Sequence, residues 1–368
     1  MALRLHWFLP LHGDGREVAR PAPGAGPAAP DSRRAPDLGY VAAVAQAAEA
    51  VGFTGALVPT GLFCEDPWLM SAALAAHTRR LQFMVALRPG STHPMVCAQA
   101  ATTLQRLSQG RLLFNVVTGG DPDELRRYGD WLDHDQRYQR ADEFLDVFGG
   151  VWPGRPYDFT GTHYQVAAGL LARPYPVRPT VFLGGSSPAA RRVAAARADV
   201  YLAWGEPPDD LAVLIKDVAE LAERHGRRIA FGSRFHVIAR RTADEAWQVT
   251  EDLLRGMDAQ RVQQAQERFR RSESEGQRRM AALHGGRTDA LTVYPNLWAG
   301  YGLVRPGAGV ALVGSYQEVA DRIEQYHALG LAHLILSGQP HLEEAYTVGE
   351  GVLPLLRERG LLAEGPTQ

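Results

Sequence analysis

The sequence predicts an α/β protein folded as a (β/α)8, or TIM, barrel. Short runs rich in β-branched and aromatic residues alternate with helical patterns along most of the 368 residues, which argues for a parallel sheet. The runs number eight, and a closed barrel of this kind needs eight strands. A doubly wound open sheet is the alternative, but the chain reads HGDGREV after the first strand and lacks the glycine fingerprint G-x-G-x-x-G.

The predicted strands and helices follow one another in regular order. The strands span residues 4–9, 55–59, 82–88, 112–118, 180–185, 199–204, 229–239 and 333–338. The clearest helical patterns span residues 37–51, 188–197, 208–225 and 315–329. Asp37 stands where an N-cap accepts the first free N–H groups, and Gly330 follows the last helix as glycine commonly does.

Three segments interrupt this alternation within what we interpret as a single domain, residues 1–368. Residues 13–36 are dense in Pro, Gly and Ala, which predicts a flexible loop. Residues 151–179 form an insertion in which YDFTGTHYQV predicts a small hairpin. Residues 243–311 make a long excursion between strands seven and eight, and because their composition favours helix, we expect a helical lid.

The composition limits the function classes. The chain is 45% hydrophobic and 22% charged, with a net charge of −2, so nothing points to nucleic acid or an anionic membrane surface as a partner. No apolar run reaches the roughly 18–20 residues that span a bilayer. The N-terminus does not read as a signal peptide, and two cysteines suggest no disulfide framework, so we expect a cytoplasmic protein. No HExxH, CxxC, G-x-S-x-G or Walker A motif is present, and we predict no metal site.

In a (β/α)8 barrel, the active site lies at the C-terminal ends of the strands. The residues of interest that follow or end the predicted strands are Cys64, Asn115, Thr118, Ser186, Ser187, Trp204, Arg234 and His236. Side chains alternate along a strand, so Arg234 and His236 of FGSRFHVIAR share one face, which looks into the barrel near its mouth. A buried guanidinium needs an anionic partner, either a ligand or a buried carboxylate.

Several further residues have two interpretations. The turn GGSSPAA, with Gly185, lets the backbone approach a ligand and opens a helix, which suits a phosphate; alternatively Ser187 is only an N-cap. Arg305 is either a second anion clamp or an exposed loop arginine. Cys64 is either functional or an inert small side chain in an acidic context. His12 and Asp14 of HGDG are either loop structure or substrate contacts.

A series of motifs, in order and at similar spacing over nearly the whole length, then carries a family resemblance. These motifs are WFLPLHGDG, PTGLFCEDPWL, FMVALRPG, LQRLSQGRLLFNVVTGGDP, VFLGGSS, YLAWGEPP, FGSRFHVIAR, QRRMAALHGG, PNLWAGYGLVRPGAGVALVG and PHLEEAYTVGE. The sequence resembles the FMNH2-dependent alkanesulfonate monooxygenases of the bacterial-luciferase-like flavin monooxygenase family. The resemblance implies a (β/α)8 barrel whose insertion closes over the site. It also implies cleavage of the C–S bond of an organosulfonate by FMNH2 and O2, giving an aldehyde, sulfite, FMN and water.

The resemblance also assigns roles to residues and implies partners. Arg234 and Arg305 would hold the sulfonate, with His236 and Trp204 beside it, and Cys64 takes the place of the family's active-site cysteine. The positions that match the flavin site are Asn115 and Thr118 near the ring, and Tyr138, Gly185, Ser186 and Ser187 near the FMN phosphate. The expected partners are a separate NAD(P)H-dependent FMN reductase and further copies of the chain in a homodimer or homotetramer.

Three departures from the family pattern concern the substrate. Gln339 replaces a tyrosine before PHLEEAY, Leu62 and Phe63 replace Arg-Ser before the cysteine, and Gln99 replaces an arginine. Glutamine can hydrogen-bond a polar substrate but lacks the acidity of a phenol. We therefore expect Gln339 to contact a substrate other than the simplest one. Two alternatives remain: oxygenation of a sulfone or a specialised metabolite, and a flavin-binding carrier or sensor without turnover.

Overall fold

A computed structural model describes residues 2–16, 18 and 33–362. The strands, in chain order, are β1 (Arg4–Phe8), β2 (Asp14–Gly15), β3 (Arg33–Arg34), β4 (Gly55–Val58), β5 (Gln82–Leu87), β6 (Leu112–Val116), β7 (Tyr157–Thr160), β8 (Gln165–Gly169), β9 (Thr180–Gly184), β10 (Val200–Trp204), β11 (Ala230–Arg240), β12 (Thr292–Tyr294), β13 (Leu297–Trp298), β14 (Ala311–Ser315) and β15 (Leu331–Ser337).

The helices are α1 (Leu38–Val51), α2 (Pro67–Ala75), α3 (Pro94–Ser108), α4 (Pro122–Arg127), α5 (His134–Val151), α6 (Pro188–Arg197), α7 (Pro208–Arg224), α8 (Ala243–Arg255), α9 (Ala259–Arg270), α10 (Glu275–His284), α11 (Tyr316–Ala328), α12 (His341–Gly351) and α13 (Leu353–Glu358), with a 3-10 turn at Gly300–Leu303. Asp37 caps α1 by accepting the Tyr40 N–H, as predicted. None of the helices in the described part of the chain is long and apolar enough to cross a bilayer.

Eight parallel strands close into a barrel, which confirms the predicted fold class. Their order around the barrel is β10, β9, β6, β5, β4, β1, β15 and β11, and β11 pairs back onto β10. All eight predicted strands are present, and their ends differ from the prediction by at most two residues. The outer faces pack on the helices: Phe235 of β11, for example, lies against Tyr326 of α11 with ring centres 4.8 Å apart.

The barrel interior is filled by a separate layer of apolar side chains. This layer includes Phe8, Leu57, Met84, Leu113, Phe182, Val200, Leu202 and Ile335. The interior is therefore a packed core below the mouth, and polar side chains from the same inward faces are free to converge above it.

The excursion after β11 contains the helices α8, α9 and α10, as its composition predicts. The sequence prediction missed β14, which lies at the boundary between excursion and helix. It pairs in parallel with the second half of β11, from His236 opposite Ala311 to Arg240 opposite Ser315. β11 has eleven residues and extends beyond its neighbours in the barrel. The backbone of its second half would otherwise lack a pairing strand, and β14 supplies one. The role of this excursion as a lid stays a prediction.

The other two interruptions are partly described. β7 and β8 pair as the predicted antiparallel hairpin. β2 and β3 pair at the two ends of the loop predicted over 13–36, and Val18 is buried against the excursion. Residues 17 and 19–32, on which most of the flexible-loop prediction falls, lie outside the described residues.

Candidate active site

Arg234 stands inside the barrel mouth, on the inward face of β11 as the strand alternation predicts. Its guanidinium carbon lies 4.3 Å from the centre of the Phe8 ring of β1, a cation–π contact. Trp204 is its register partner on β10. The Trp204 ring packs under the excursion, where a Cβ atom on Gly276 would meet it at 3.0 Å. Two further barrel strands, β1 and β10, and the excursion therefore meet around Arg234.

His236 lies one pleat further up the same face and is 4% exposed. Its Nε2 donates to the Ala308 carbonyl at 3.1 Å, because a carbonyl can only accept. In that tautomer, Nδ1 accepts from the Ser337 hydroxyl at 2.9 Å, and the ring stacks on Tyr301 with centres 4.0 Å apart. Burial lowers the pKa of His236 well below 6.5, and the charges of Arg305 and Arg234 lower it further. Both ring nitrogens already have protein partners, so the predicted catalytic role of His236 stays a prediction.

Arg305 is buried, which excludes the interpretation as an exposed loop arginine. It is 7% exposed, its Nε donates to the Val18 carbonyl at 2.8 Å, and its guanidinium carbon is 5.7 Å from the Tyr301 ring centre. The turn before it is fixed by Gln266 of α9, whose amide donates to the Gly302 and Leu303 carbonyls at 3.0 and 2.9 Å. The excursion thus delivers a second guanidinium to the neighbourhood of His236.

A buried carboxylate–imidazole pair, which the sequence analysis missed, completes this group. Asp14 Oδ1 accepts from His341 Nδ1 at 2.9 Å, and Asp14 Oδ2 accepts from the His341 backbone N–H at 2.6 Å and from the Tyr40 hydroxyl. Burial raises the pKa of Asp14, but the hydrogen bonds from His341 and Tyr40 outweigh it and bring the pKa down to about 2. Both carboxylate oxygens of Asp14 are thus bound by the protein, and the alternative of a substrate contact stays a prediction. We call Arg234, His236, Arg305 and His341 the mouth cluster.

A second group of polar side chains lies around the turn after β9. Tyr138 of α5 is buried, which raises the pKa of its phenol, while hydrogen bonds from the Thr118 and Ser187 hydroxyls act in the opposite direction. A Cβ atom on Gly185 would lie 2.5 Å from the Tyr138 hydroxyl, so only glycine permits this approach. Ser187 also caps α6 by accepting the Ala190 N–H at 3.2 Å. Three hydroxyls at a helix N-terminus can hold a phosphate.

The remaining predicted site residues lie between or beside these groups. Asn115 is buried on β6, and its Oδ1 has no hydrogen-bond partner within the described residues. Ser186 is buried next to Ser187. Gln339 follows β15, two residues from both Ser337 and His341. Cys64 lies on the loop after β4, where its N–H donates to the Gly61 carbonyl at 3.0 Å.

The excursion is attached to α5 and to the loop after β6 by an ion pair and a hydrogen bond. Arg137 of α5 binds Glu273, and the Ser272 hydroxyl donates to the Gly120 carbonyl at 2.8 Å.

Within residues 2–16, 18 and 33–362, no three His, Cys, Asp or Glu side chains converge in a group that could hold a metal ion.

The family model described as luciferase-like monooxygenase matches residues 3–333. The chain belongs to the luciferase-like monooxygenase family. The match covers all eight barrel strands, apart from the end of β15, and the whole excursion. Both polar groups therefore lie within it except for His341, and Gln339 also lies outside it.

Three solved structures share the fold. The chain is similar to riboflavin lyase in complex with modified FMN and its substrate riboflavin (22% identity, TM-score 0.79, covering 100% of this chain and 94% of that one). It is also similar to EDTA monooxygenase from Chelativorans sp. BNC1 (19%, 0.79, 100% and 96%). Long-chain alkane monooxygenase is a third (22%, 0.77, 100% and 93%). At these identities the likeness establishes the fold alone.

Proposed function

We propose that this luciferase-like monooxygenase uses FMNH2 and O2 to cleave the C–S bond of a small organosulfonate. In balanced form, RCH2SO3⁻, O2 and FMNH2 give RCHO, HSO3⁻, FMN and H2O. The observation that carries the proposal is the convergence of two inward or buried arginines, Arg234 and Arg305, with two buried histidines at the barrel mouth.

The mouth cluster fits a small anion with a fixed charge. Two guanidinium groups that are partly removed from water favour a ligand whose oxygens accept their forked N–H donors. A sulfonate presents three such oxygens and keeps its charge at every physiological pH. Among the described residues, Asp14 approaches the cluster from behind His341, and its carboxylate oxygens are bound by His341 and Tyr40.

The second polar group fits the phosphate of FMN. Thr118, Tyr138 and Ser187 would donate to its oxygens, and Gly185 leaves room for the close approach. The buried Oδ1 of Asn115 would accept from an N–H of the flavin ring. When bound, FMNH2 supplies the activation of O2. Reduced flavin must then come from a separate NAD(P)H-dependent FMN reductase, and we propose a cytoplasmic homodimer or homotetramer.

The experiment that tests this function is sulfite release from a panel of sulfonates, from methanesulfonate through longer alkyl chains to sulfonated sugars and aromatics. Assays contain FMN, NAD(P)H, a flavin reductase, air and catalase, because peroxide from free FMNH2 would oxidise the sulfite. Sulfite that depends on both FMNH2 and this protein is the expected result. No sulfite across the panel, with FMNH2 binding intact, would contradict desulfonation.

A second candidate is oxygenation of a substrate without a sulfonate, such as a sulfone or a specialised metabolite. Phe63 and Leu62, 54% and 38% exposed on the loop that carries Cys64, make that loop more apolar than the family pattern. Product identification by NMR would separate the two candidates. A flavin carrier or sensor, by contrast, would show no substrate-dependent product and no substrate-dependent O2 uptake.

A further inference from the structure

The Asp14–His341 pair leaves one imidazole nitrogen facing the cluster. His341 is 2% exposed, its carbonyl accepts from Trp7 Nε1 at 3.1 Å, and its ring lies 5.6 Å from the Phe8 ring on which Arg234 rests. The charges of Arg305 and Arg234 both act on it. Asp14 and Phe8 therefore hold the ring, Trp7 holds its backbone, and the ring lies close to both arginines.

The tautomer of His341 follows from its partner. An ionised Asp14 can only accept, so His341 Nδ1 carries the hydrogen and Nε2 carries the lone pair. No group among the described residues is hydrogen-bonded to that Nε2. Burial lowers the pKa of His341 below 6.5, more than Asp14 raises it, so the ring is a neutral acceptor at neutral pH.

We infer that His341 is the general base of the C–S cleavage, with Asp14 as the residue that positions it. The inference rests on the proposed function and deepens it. His236 is less suited to this task because both of its nitrogens bind the protein. Gln339, where the family pattern has a phenol, cannot exchange a proton at these pH values.

The proton transfer and the C–S cleavage that we assign to His341 need no flavin. Once an oxygen atom has been inserted, the substrate is a 1-hydroxyalkanesulfonate, RCH(OH)SO3⁻. His341 Nε2 takes the hydroxyl proton, the O–H electron pair forms the C=O bond, and the C–S pair leaves with sulfur as SO3²⁻. Arg234 and Arg305 stabilise the second negative charge on the leaving group, and Asp14 stabilises the imidazolium.

This step can be tested apart from the oxygenation. Hydroxymethanesulfonate already carries the hydroxyl group, so its conversion to formaldehyde and sulfite needs neither FMNH2 nor O2. Sulfite release would be followed from hydroxymethanesulfonate, with and without oxidised FMN, and from an alkanesulfonate under full turnover. The proteins compared are the wild type, His341→Gln, Asp14→Asn and the exposed control His77→Gln.

We expect His77→Gln to release sulfite from hydroxymethanesulfonate and from the alkanesulfonate at the same rates as the wild type. His341→Gln should lose about 10²–10⁴-fold in kcat, the range of general base catalysis, with FMN binding unchanged. Asp14→Asn can donate an amide N–H to Nδ1, which would put the hydrogen on Nε2 and lower kcat at every pH. In the wild type, kcat should fall only below pH 6.5, since burial, Arg234 and Arg305 lower the His341 pKa while Asp14 opposes them, with His236 neutral beside it.

A spectroscopic readout separates a catalytic from a structural role. ¹⁵N-histidine NMR of the resting protein should show His341 as the Nδ1–H tautomer, and Asp14→Asn should shift it. Three results would each contradict the role of His341 as general base. They are full kcat in His341→Gln, an Nε2–H tautomer in the wild type, and turnover of alkanesulfonates without any turnover of hydroxymethanesulfonate. No sulfite from alkanesulfonates with the wild type would instead overturn the proposed function.

Discussion

Arg279 of α10 donates hydrogen bonds to both carboxylate oxygens of Glu206, which lies two residues beyond Trp204 at the end of β10. Its Nε lies 2.8 Å from Glu206 Oε1, and the Glu206 side chain is 3% exposed. Tyr326 donates to the Glu206 carbonyl at 2.7 Å, so the backbone at this point is fixed as well. The excursion that carries Arg305 is therefore fastened to the barrel beside the site.

This ion pair predicts an asymmetric response to mutation. Arg279→Ala leaves a buried carboxylate uncompensated and should lower the free energy of unfolding by about 3 kcal/mol. Replacing both partners, as Glu206→Gln with Arg279→Met, should cost much less, because no charge is left buried. Urea unfolding of the three proteins measures this. A change within about 0.5 kcal/mol for Arg279→Ala would mean that the excursion is held by other contacts.

The two arginines of the mouth cluster should differ in what they control. Arg234→Ala should cost at least about 2 kcal/mol of transition-state stabilisation, about 30-fold in kcat/KM for a sulfonate, because a charge-assisted hydrogen bond is lost. Arg305→Ala should lower kcat/KM for the sulfonate with little change in FMNH2 affinity, since Arg305 comes from the excursion. Arg→Lys variants keep the charge but lose the fork and serve as controls.

Steady-state kinetics and anaerobic FMNH2 titration would check both expectations. Unchanged kcat/KM in Arg234→Ala would remove that side chain from the anion site. A selective loss of FMNH2 binding in Arg305→Ala would show that it belongs to the flavin site instead.

Much of this arrangement could be predicted from the sequence. The eight barrel strands follow from buried runs separated by helical patterns, and the shared face of Arg234 and His236 follows from the two-residue repeat of a strand. The motif GGSSP also indicates the turn that brings Gly185 and Ser187 to Tyr138, although the 2.5 Å limit on a Cβ atom there needs coordinates.

What sequence patterns could not supply are contacts between distant segments. Asp14 and His341 are separated by 327 residues and meet because β1 and β15 are neighbours in the closed barrel. A polar HGDG a few residues after the first strand and a histidine a few residues after the last are the signals that could have paired them. β14 was not predicted because, among the barrel strands, its short sequence ALVGS pairs only with the second half of the unusually long β11.

The phosphate site predicts a difference between two flavins. Tyr138→Phe removes one hydroxyl from the Thr118–Tyr138–Ser187 group and should weaken FMN binding about tenfold, the worth of one hydrogen bond to a charged group. Riboflavin lacks the phosphate and is the control ligand, so its affinity should not change. Gly185→Ala should weaken FMN more strongly, because its Cβ atom would collide with Tyr138 and because its φ of +133° disfavours any side chain. Fluorescence titration gives both affinities, and equal losses for FMN and riboflavin would contradict a phosphate at this place.

The barrel floor contains a histidine pair that should make stability pH-dependent. His6 Nε2 and His333 Nδ1 are 3.0 Å apart, and the rings stack with centres 5.3 Å apart against the edge of Phe182. One ring must donate and the other accept, so the bond requires at least one neutral ring. Burial lowers the pKa of His333 to about 4, and burial together with His333 lowers that of His6 well below 6.5.

The sign of the effect follows from proton uptake. Below pH 6.5 the unfolded chain binds protons at both positions while the folded chain does not, so stability is complete above pH 6.5 and is lost as pH falls toward about 4. Each histidine contributes a slope of about 1.4 kcal/mol per pH unit in that window. His236, His284 and His341 also have lowered pKa values, so the pair must be isolated by comparison with His6→Leu/His333→Leu, in which both polar partners are replaced together. Urea unfolding from pH 7.5 to 4.5 should give the double variant a shallower loss of stability than the wild type. Parallel losses in the two proteins would mean that the barrel floor accepts protons as readily as the unfolded chain.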